Sequence, residues 1–140
     1  MKPADLLASI GQRFALDAIY VFGSRARDVH AFVTGAVPLD PGNRSDVDIG
    51  VLPRTGTRLD ARQRVDLAAD LEGLFGVARV DLVVLPEAPA LLAADVVSGE
   101  LLFVSDATRE AEYQLHALRR AADLAPFERE RRSIVMAGGR

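Results

Sequence analysis

Residues 45–52 have the sequence SDVDIGVL, and residues 19–27 have the sequence IYVFGSRAR. Each segment joins a run of large apolar residues to a short polar motif, which predicts two buried strands with polar groups at one end of each. On a strand, Asp46 and Asp48 point to the same face, about 7 Å apart along the chain. Two carboxylates placed in this way can bind a divalent cation together.

The second segment ends its apolar run at Gly23 and Ser24, and a helical pattern follows. Backbone N–H groups at such a turn are suited to holding phosphate, and we expect Ser24 to cap the helix. Arg25 and Arg27 would add positive charge beside the phosphate. Metal-binding carboxylates next to a phosphate-binding turn indicate phosphoryl or nucleotidyl transfer.

A third acidic residue, Asp81, interrupts the apolar run from Val77 to Leu85. A carboxylate among apolar neighbours is costly unless it is paired or bound to metal. If this strand lies beside the strand that starts at Asp46, the three aspartates form one cluster whose mutual repulsion requires a cation. We therefore expect a site for two Mg²⁺ ions, or Mn²⁺, with Asp81 as the base or activating ligand beside an acceptor hydroxyl.

The periodicity of apolar residues divides the remaining chain into alternating helices and strands. This order predicts an α/β fold in which helices cover the faces of a sheet. Leu115, Leu118, Ala122 and Ala125 predict the buried face of the final helix, and Pro126 should stop or kink it. The predicted strands are 18–22, 46–52, 77–85 and 100–104, the last of them at an edge of the sheet. The predicted helices begin near Asp5, after Ser24, at Thr57 or Asp60, at Ala88, and after a cap formed by Ser105 or Asp106.

The chain has the length of one domain, which we assign to residues 1–125, followed by a charged C-terminal tail over 126–140. Glycines and prolines break the pattern between His30 and Ser45, so we expect residues 30–45 to form an inserted loop or a small hairpin. Such a loop would leave the domain beside the candidate site.

Composition excludes several classes of function. A net charge of −3 argues against an extended nucleic-acid-binding surface. No apolar run is long enough to span a bilayer, and the chain has no cysteine. We therefore expect a cytoplasmic protein that does not bind a membrane.

Other motifs fail on inspection. An EF-hand interpretation of the Asp46–Asp48 segment fails because Val51 occupies the position of the required glycine and Thr57 that of the glutamate. His30 and His116 have no companions at metal-ligand spacing, so we expect both on the surface.

Together, residues 23–27, residues 45–49 and Asp81 resemble the motifs of the polymerase-beta-like nucleotidyltransferase superfamily, specifically its minimal nucleotidyltransferase (MNT) branch. The resemblance covers most of residues 4–104. It implies that superfamily's α/β fold with a mixed sheet, and Mg²⁺-dependent transfer of a nucleoside monophosphate from a nucleoside triphosphate to a hydroxyl. The nucleotide-binding residues would then be Gly23, Ser24, Arg25 and Arg27, and the catalytic metal ligands Asp46, Asp48 and Asp81.

The long final helix with its Arg-rich end resembles the MNT antitoxins that pair with HEPN-domain toxins. This implies AMP transfer from ATP to a tyrosine of a HEPN ribonuclease, and a hetero-oligomer with that toxin. The chain departs from the pattern in the segment between Ser24 and Asp46, which is longer than minimal members have. Two alternatives remain: a non-catalytic antitoxin that acts by binding, and a small-molecule nucleotidyltransferase of the aminoglycoside-modifying type.

Overall fold

The structure is a computed structural model that describes the backbone of residues 1–138 and the side chains of residues 1–124 and 126. Within this part of the chain, five helices alternate with four strands. In chain order the elements are α1 (Pro3–Arg13), β1 (Leu16–Phe22), α2 (Ala26–Gly35), β2 (Val47–Pro53), α3 (Ala61–Phe75), β3 (Val80–Val84), α4 (Ala90–Val97), β4 (Glu100–Val104) and α5 (Ala107–Gly138).

The four strands form one mixed sheet in the order β3-β2-β1-β4. Strand β1 is antiparallel to both β2 and β4, whereas β2 and β3 run parallel. The parallel pair is possible because α3 returns the chain to the end of the sheet at which β2 begins. The predicted α/β fold with a mixed sheet is confirmed, and β4 lies at an edge as expected.

Helices cover both faces of this sheet. Side chains alternate along β1, so Ile19 and Val21 pack toward α1, α2 and α3, while Ala18 and Tyr20 pack toward α4 and α5. The central strands β1 and β2 are therefore buried on both faces, which explains their near-continuous apolar runs.

Two helix starts follow the capping rules. Asp60 and Gln63 form a reciprocal capping box at α3. The backbone N–H of Gln63 donates to Asp60 Oδ1 over 2.8 Å. Helix α3 ends at Gly76, which adopts the left-handed conformation that favours glycine. At the start of α5, Asp106 accepts a hydrogen bond of 2.9 Å from the N–H of Arg109, so Asp106 is the cap that the sequence offered beside Ser105.

The region around α2 differs from the prediction. Ser24 does not cap a helix, because residues 23–25 form a short 3₁₀ turn and α2 starts after it without a side-chain cap. Helix α2 also continues to Gly35, so the loop is limited to 36–46 and residues 30–35 are helical. The reason is that Val29 and Val33, one helical turn apart, are both buried in the core.

Helix α5 packs on a different face from the one predicted. It buries Tyr113 and Ala117 against the sheet, and it leaves Leu115 and Leu118 exposed at 54% and 41%. The Tyr113 hydroxyl donates a hydrogen bond of 2.9 Å to the carbonyl of Leu85. With this face packed inward, the Leu85 carbonyl has a hydrogen-bond donor, which a face of leucines would not provide. The side chain of Ala125, also assigned to the predicted face, lies outside the described residues.

The helix also continues through Pro126 to Gly138, where the sequence predicted a stop or kink followed by a charged tail. Alanine, arginine and glutamate, which flank this proline, favour the helical conformation. Residues 139–140 of the predicted tail lie outside the described residues. No helix in the described part of the chain is both long and apolar enough to cross a membrane.

Candidate active site

The parallel pairing of β2 and β3 brings two of the predicted acidic residues side by side. In the register of this pair, Asp48 lies directly opposite Asp81. Asp46 precedes β2 by one residue, and its side chain is 46% exposed, similar to the 42% of Asp81. The predicted adjacency of the second and third strands is thus present, and the three aspartates lie at one end of the sheet.

An arginine that sequence reasoning did not assign to the site lies among these carboxylates. Arg79 Nε is 3.0 Å from Asp81 Oδ1 and 3.8 Å from Asp46 Oδ2. Arg79 and Asp81 are two residues apart within the predicted strand 77–85, and this spacing could have indicated the contact, because such residues share a face of a strand.

The environment of Asp48 opposes its ionisation. Burial raises the pKa of the Asp48 carboxyl most, and the nearby carboxylates of Asp81 and Asp46 raise it further. Crowding of like charges with partial desolvation is a common feature of functional sites.

The Gly23 turn lies directly against Asp48. Phe22, the last residue of β1, is the register partner of Asp48, so the chain turns beside this carboxylate. Gly23 has a φ of +75°, and a Cβ atom added there would lie 2.5 Å from Asp48 Oδ2. Only glycine therefore satisfies both the backbone conformation and the available space.

A cavity of about 390 Å³ borders this turn. Exposed Gly23, Ser24 and Arg27 line one wall of it. The opposite wall is formed by the end of α4 and the turn into β4, and includes Asp95, Ser98 and Gly99.

Sequence reasoning missed this second wall. The Ser98–Gly99 pair indicated only the end of a helix, and its position beside residue 23 depends on the docking of α4 against the sheet. Gly99 permits this close approach, because a Cβ atom there would clash with the carbonyl oxygen of Val21.

Arg25 is not brought to this cavity. Its side chain is 1% exposed, and its Nε lies 2.9 Å from Asp28 Oδ2 while Nη1 donates to the carbonyl of Ser45 at 2.8 Å. It lines a separate cavity beside the 38–45 loop. The structure thus joins Arg25 to the loop before β2, and leaves Arg27 as the arginine beside Gly23 and Ser24.

The donor set suits a divalent cation in its chemistry, since carboxylate oxygens are the ligands that Mg²⁺ and Mn²⁺ prefer. The side chains do not converge on one point, however. Among the described residues, no three acidic, histidine or cysteine side chains lie close enough together to hold a metal ion. Arg79 instead contacts two of the three carboxylates, those of Asp46 and Asp81.

Comparisons with known proteins agree with this geometry. The family model described as polymerase beta, nucleotidyltransferase matches residues 6–108, which include all of the residues above. A search among curated proteins found no significant match.

Three solved structures illustrate the structural likeness. A toxin–antitoxin complex with AMP-PNP contains a chain of 23% identity and TM-score 0.71, with 95% of this chain and 98% of that chain covered. A chain in the MntA–HepT toxin–antitoxin complex has 22% identity and a TM-score of 0.67, with 96% of this chain and 97% of that chain covered. The complex of a tri-AMPylated HEPN toxin from Shewanella oneidensis with an MNT antitoxin contains a chain of 22% identity and TM-score 0.67, with 96% of this chain and 96% of that chain covered. At these identities the likeness establishes a shared fold.

Proposed function

Because the chain belongs to the polymerase beta nucleotidyltransferase family, we propose that it transfers AMP from ATP to a hydroxyl of a HEPN-domain ribonuclease and thereby neutralises that toxin. The observation that carries this proposal is the position of Asp48, which contacts the phosphate-binding turn at Gly23 and faces Asp81 on the next strand. A nucleotidyl-transfer site needs carboxylates next to a turn that can hold phosphate, and the position of the aspartates beside the Gly23 turn supports this assignment.

We assign the binding of Mg²⁺, or Mn²⁺, to Asp46, Asp48 and Asp81. When bound, two such ions would supply neutralisation of the triphosphate and activation of the acceptor hydroxyl. The residues of the chain are suited to the remaining tasks. The exposed turn at Gly23 and Ser24 holds the terminal phosphates, and Arg27 adds positive charge to the same cavity.

The proposed reaction is an in-line displacement at the α-phosphorus. The acceptor hydroxyl oxygen forms a bond to this phosphorus, the bond from the α-phosphorus to the bridging oxygen breaks, and pyrophosphate leaves. The hydroxyl proton passes to Asp81, whose half-exposed side chain can reach an acceptor that approaches from solvent. Asp48, at the start of β2, holds its carboxylate between the turn and β3.

The partner is proposed from fold likeness to chains that occur in toxin–antitoxin complexes, one of which contains a tri-AMPylated HEPN toxin. We propose that this chain likewise forms a hetero-oligomer with a HEPN toxin, and that it does so in the cytoplasm, where ATP is available.

A second candidate function is neutralisation of the toxin by binding alone. One observation favours it: the three aspartates do not converge and Arg79 lies between two of them, an arrangement that a non-catalytic antitoxin could retain. Transfer to a small molecule such as an aminoglycoside is the third possibility, and no feature of the described residues favours it.

Co-incubation with a purified HEPN toxin, ATP and Mg²⁺ tests the proposal. The toxin should gain mass in AMP units and remain inactive as a ribonuclease after separation, because a covalent modification outlasts the complex. Asp46→Ala/Asp48→Ala should abolish the mass gain, whereas Asp66→Ala, an exposed substitution on α3, should not.

If the double variant protects as well as wild type, neutralisation by binding is correct. An unmodified toxin together with nucleotide transfer to an aminoglycoside would support the small-molecule function instead.

A further inference from the structure

The ion pairs of Arg79 make it a candidate for a further role at the acidic cluster, defined here as Asp46, Asp48 and Asp81. Arg79 contacts two members of the cluster, with Nε at 3.0 Å from Asp81 and 3.8 Å from Asp46. A guanidinium placed between two carboxylates occupies the electrostatic position that a cation would take.

The fold does not need this side chain for packing. The Arg79 side chain is 68% exposed. Exposed ion pairs contribute little to stability. The backbone of Arg79 is held independently, because its carbonyl accepts a hydrogen bond of 3.2 Å from the N–H of Val47. The side chain can therefore rotate away while the pairing of β2 and β3 stays intact.

We propose that Arg79 is a positioning residue that neutralises the acidic cluster in the metal-free protein and competes with the divalent cation for Asp46 and Asp81. Metal binding then requires displacement of the guanidinium, so the side chain sets the cation concentration at which the site fills. This inference rests on the proposed function, because it takes the cluster as the metal site.

The test measures binding of Mn²⁺ alone, by electron paramagnetic resonance of the free ion at low ionic strength. Arg79→Gln should bind Mn²⁺ about two- to fivefold more tightly than wild type, a change equivalent to the loss of one competing exposed ion pair. Arg79→Lys, which keeps the charge but loses the planar fork, should lie between the two.

Arg44→Gln is the matched control. It removes a positive charge two residues before Asp46, and Arg44 has no ion pair within the described part of the chain. If Arg44→Gln tightens Mn²⁺ binding as much as Arg79→Gln, a general charge effect explains the result and the proposed competition is wrong.

Thermal unfolding provides a readout that does not involve activity. In the presence of a chelator, Arg79→Gln should unfold at a lower temperature than wild type, because the acidic cluster loses its counterion. Saturating Mn²⁺ should remove this difference. A difference that persists with Mn²⁺ would show a structural role and overturn the proposal.

The outcomes separate this inference from the proposed function. Wild-type binding of Mn²⁺ that Asp48→Asn abolishes but Arg79→Gln leaves unchanged would overturn the role of Arg79 alone. The absence of Mn²⁺ binding to wild type, both alone and with ATP, would overturn the metal site and the inference together.

Discussion

Carboxylates lie at both ends of the sheet, and their surroundings differ. Near the start of β1, the Asp17 side chain is 8% exposed and lies 3.1 Å from Arg109 Nη1. At the other end, Asp46, Asp48 and Asp81 lie near one another, and the largely exposed Arg79 pairs with Asp46 and Asp81. One end pairs a single buried acid with a cation from a distant helix, whereas the other leaves three acids incompletely neutralised.

The difference separates a structural role from a functional one. Arg109 belongs to α5 and also hydrogen-bonds Thr55 after β2, so the pair with Asp17 ties three parts of the chain together. The acids at the other end have only exposed pairs with Arg79, which join neighbouring strands, and burial together with the nearby acids raises the pKa of Asp48. A feature that costs stability without a structural return is expected where a protein carries out chemistry.

The strongest test of this comparison is the removal of one carboxylate from each end. Asp48→Asn should lower AMP transfer by about 10³-fold, because a charge-stabilising group is lost at the transferring phosphate. It should not lower the free energy of unfolding, since repulsion is relieved. Asp17→Asn should leave transfer close to wild type when assayed well below its unfolding temperature. Equal loss of activity in both variants would contradict the division of roles.

Removal of the arginine from each end should affect stability more at the Asp17 end than at the acidic cluster. Arg109→Met leaves Asp17 buried without a partner and should cost about 3 kcal/mol of unfolding free energy. Arg79→Met removes an exposed partner and should cost less than about 1 kcal/mol. Chemical denaturation of both variants measures the two values, and a larger loss for Arg79→Met would mean that the acidic end also stabilises the fold.

Glycines in the left-handed conformation offer a smaller, matched contrast. Gly23 and Gly56 both have a positive φ. Replacement of either by alanine places an L-residue in the left-handed conformation, which strains the backbone by about 1 kcal/mol or more at each position. Only the new Cβ atom at position 23 would press on Asp48, because nothing lies within 4 Å of the one at position 56.

We therefore expect Gly23→Ala to lower AMP transfer by about tenfold or more, and Gly56→Ala to lower only stability. Transfer assays and thermal unfolding of the two variants measure these effects. A fully active Gly23→Ala protein would show that the turn does not control the site.

The pH dependence of stability is the smallest expected effect. In the native state, the pKa of Asp48 is raised above its ordinary value of 3.8. At a pH between the ordinary pKa and the raised native pKa, the native state keeps a proton that the unfolded state has lost. Stability of the metal-free protein should therefore fall as pH rises through this window, and remain lower above it. Thermal unfolding in chelator should show this fall in wild type and a smaller one in Asp48→Asn. Identical profiles would mean that Asp48 is not the group responsible.

Local patterns made most of the fold and the acidic cluster predictable. The strands follow from runs of β-branched residues, and the shared face of Asp46 and Asp48 follows from the two-residue repeat of a strand. Asp60 and Gly76 also mark the limits of α3 by local chemistry. These features depend on neighbours within a few residues, so the sequence contains the information directly.

The errors concern contacts between distant segments. Helix α5 carries two candidate faces, and the choice of Tyr113 over Leu115 depends on the carbonyl of Leu85. Arg25 is buried because the loop before β2 folds back and presents the carbonyl of Ser45. Neither partner is visible from the local pattern, and the same holds for the second wall of the cavity beside Ser24.

The parallel pairing of β2 and β3 also has a consequence for folding kinetics. Asp48 and Asp81 are separated in the chain by the whole of α3, and they meet only when β3 docks beside β2. The entropy of closing this loop and the repulsion between the two carboxylates both oppose that docking step. We therefore expect the acidic cluster to be assembled late during folding, and salt, which screens the repulsion, should speed its assembly.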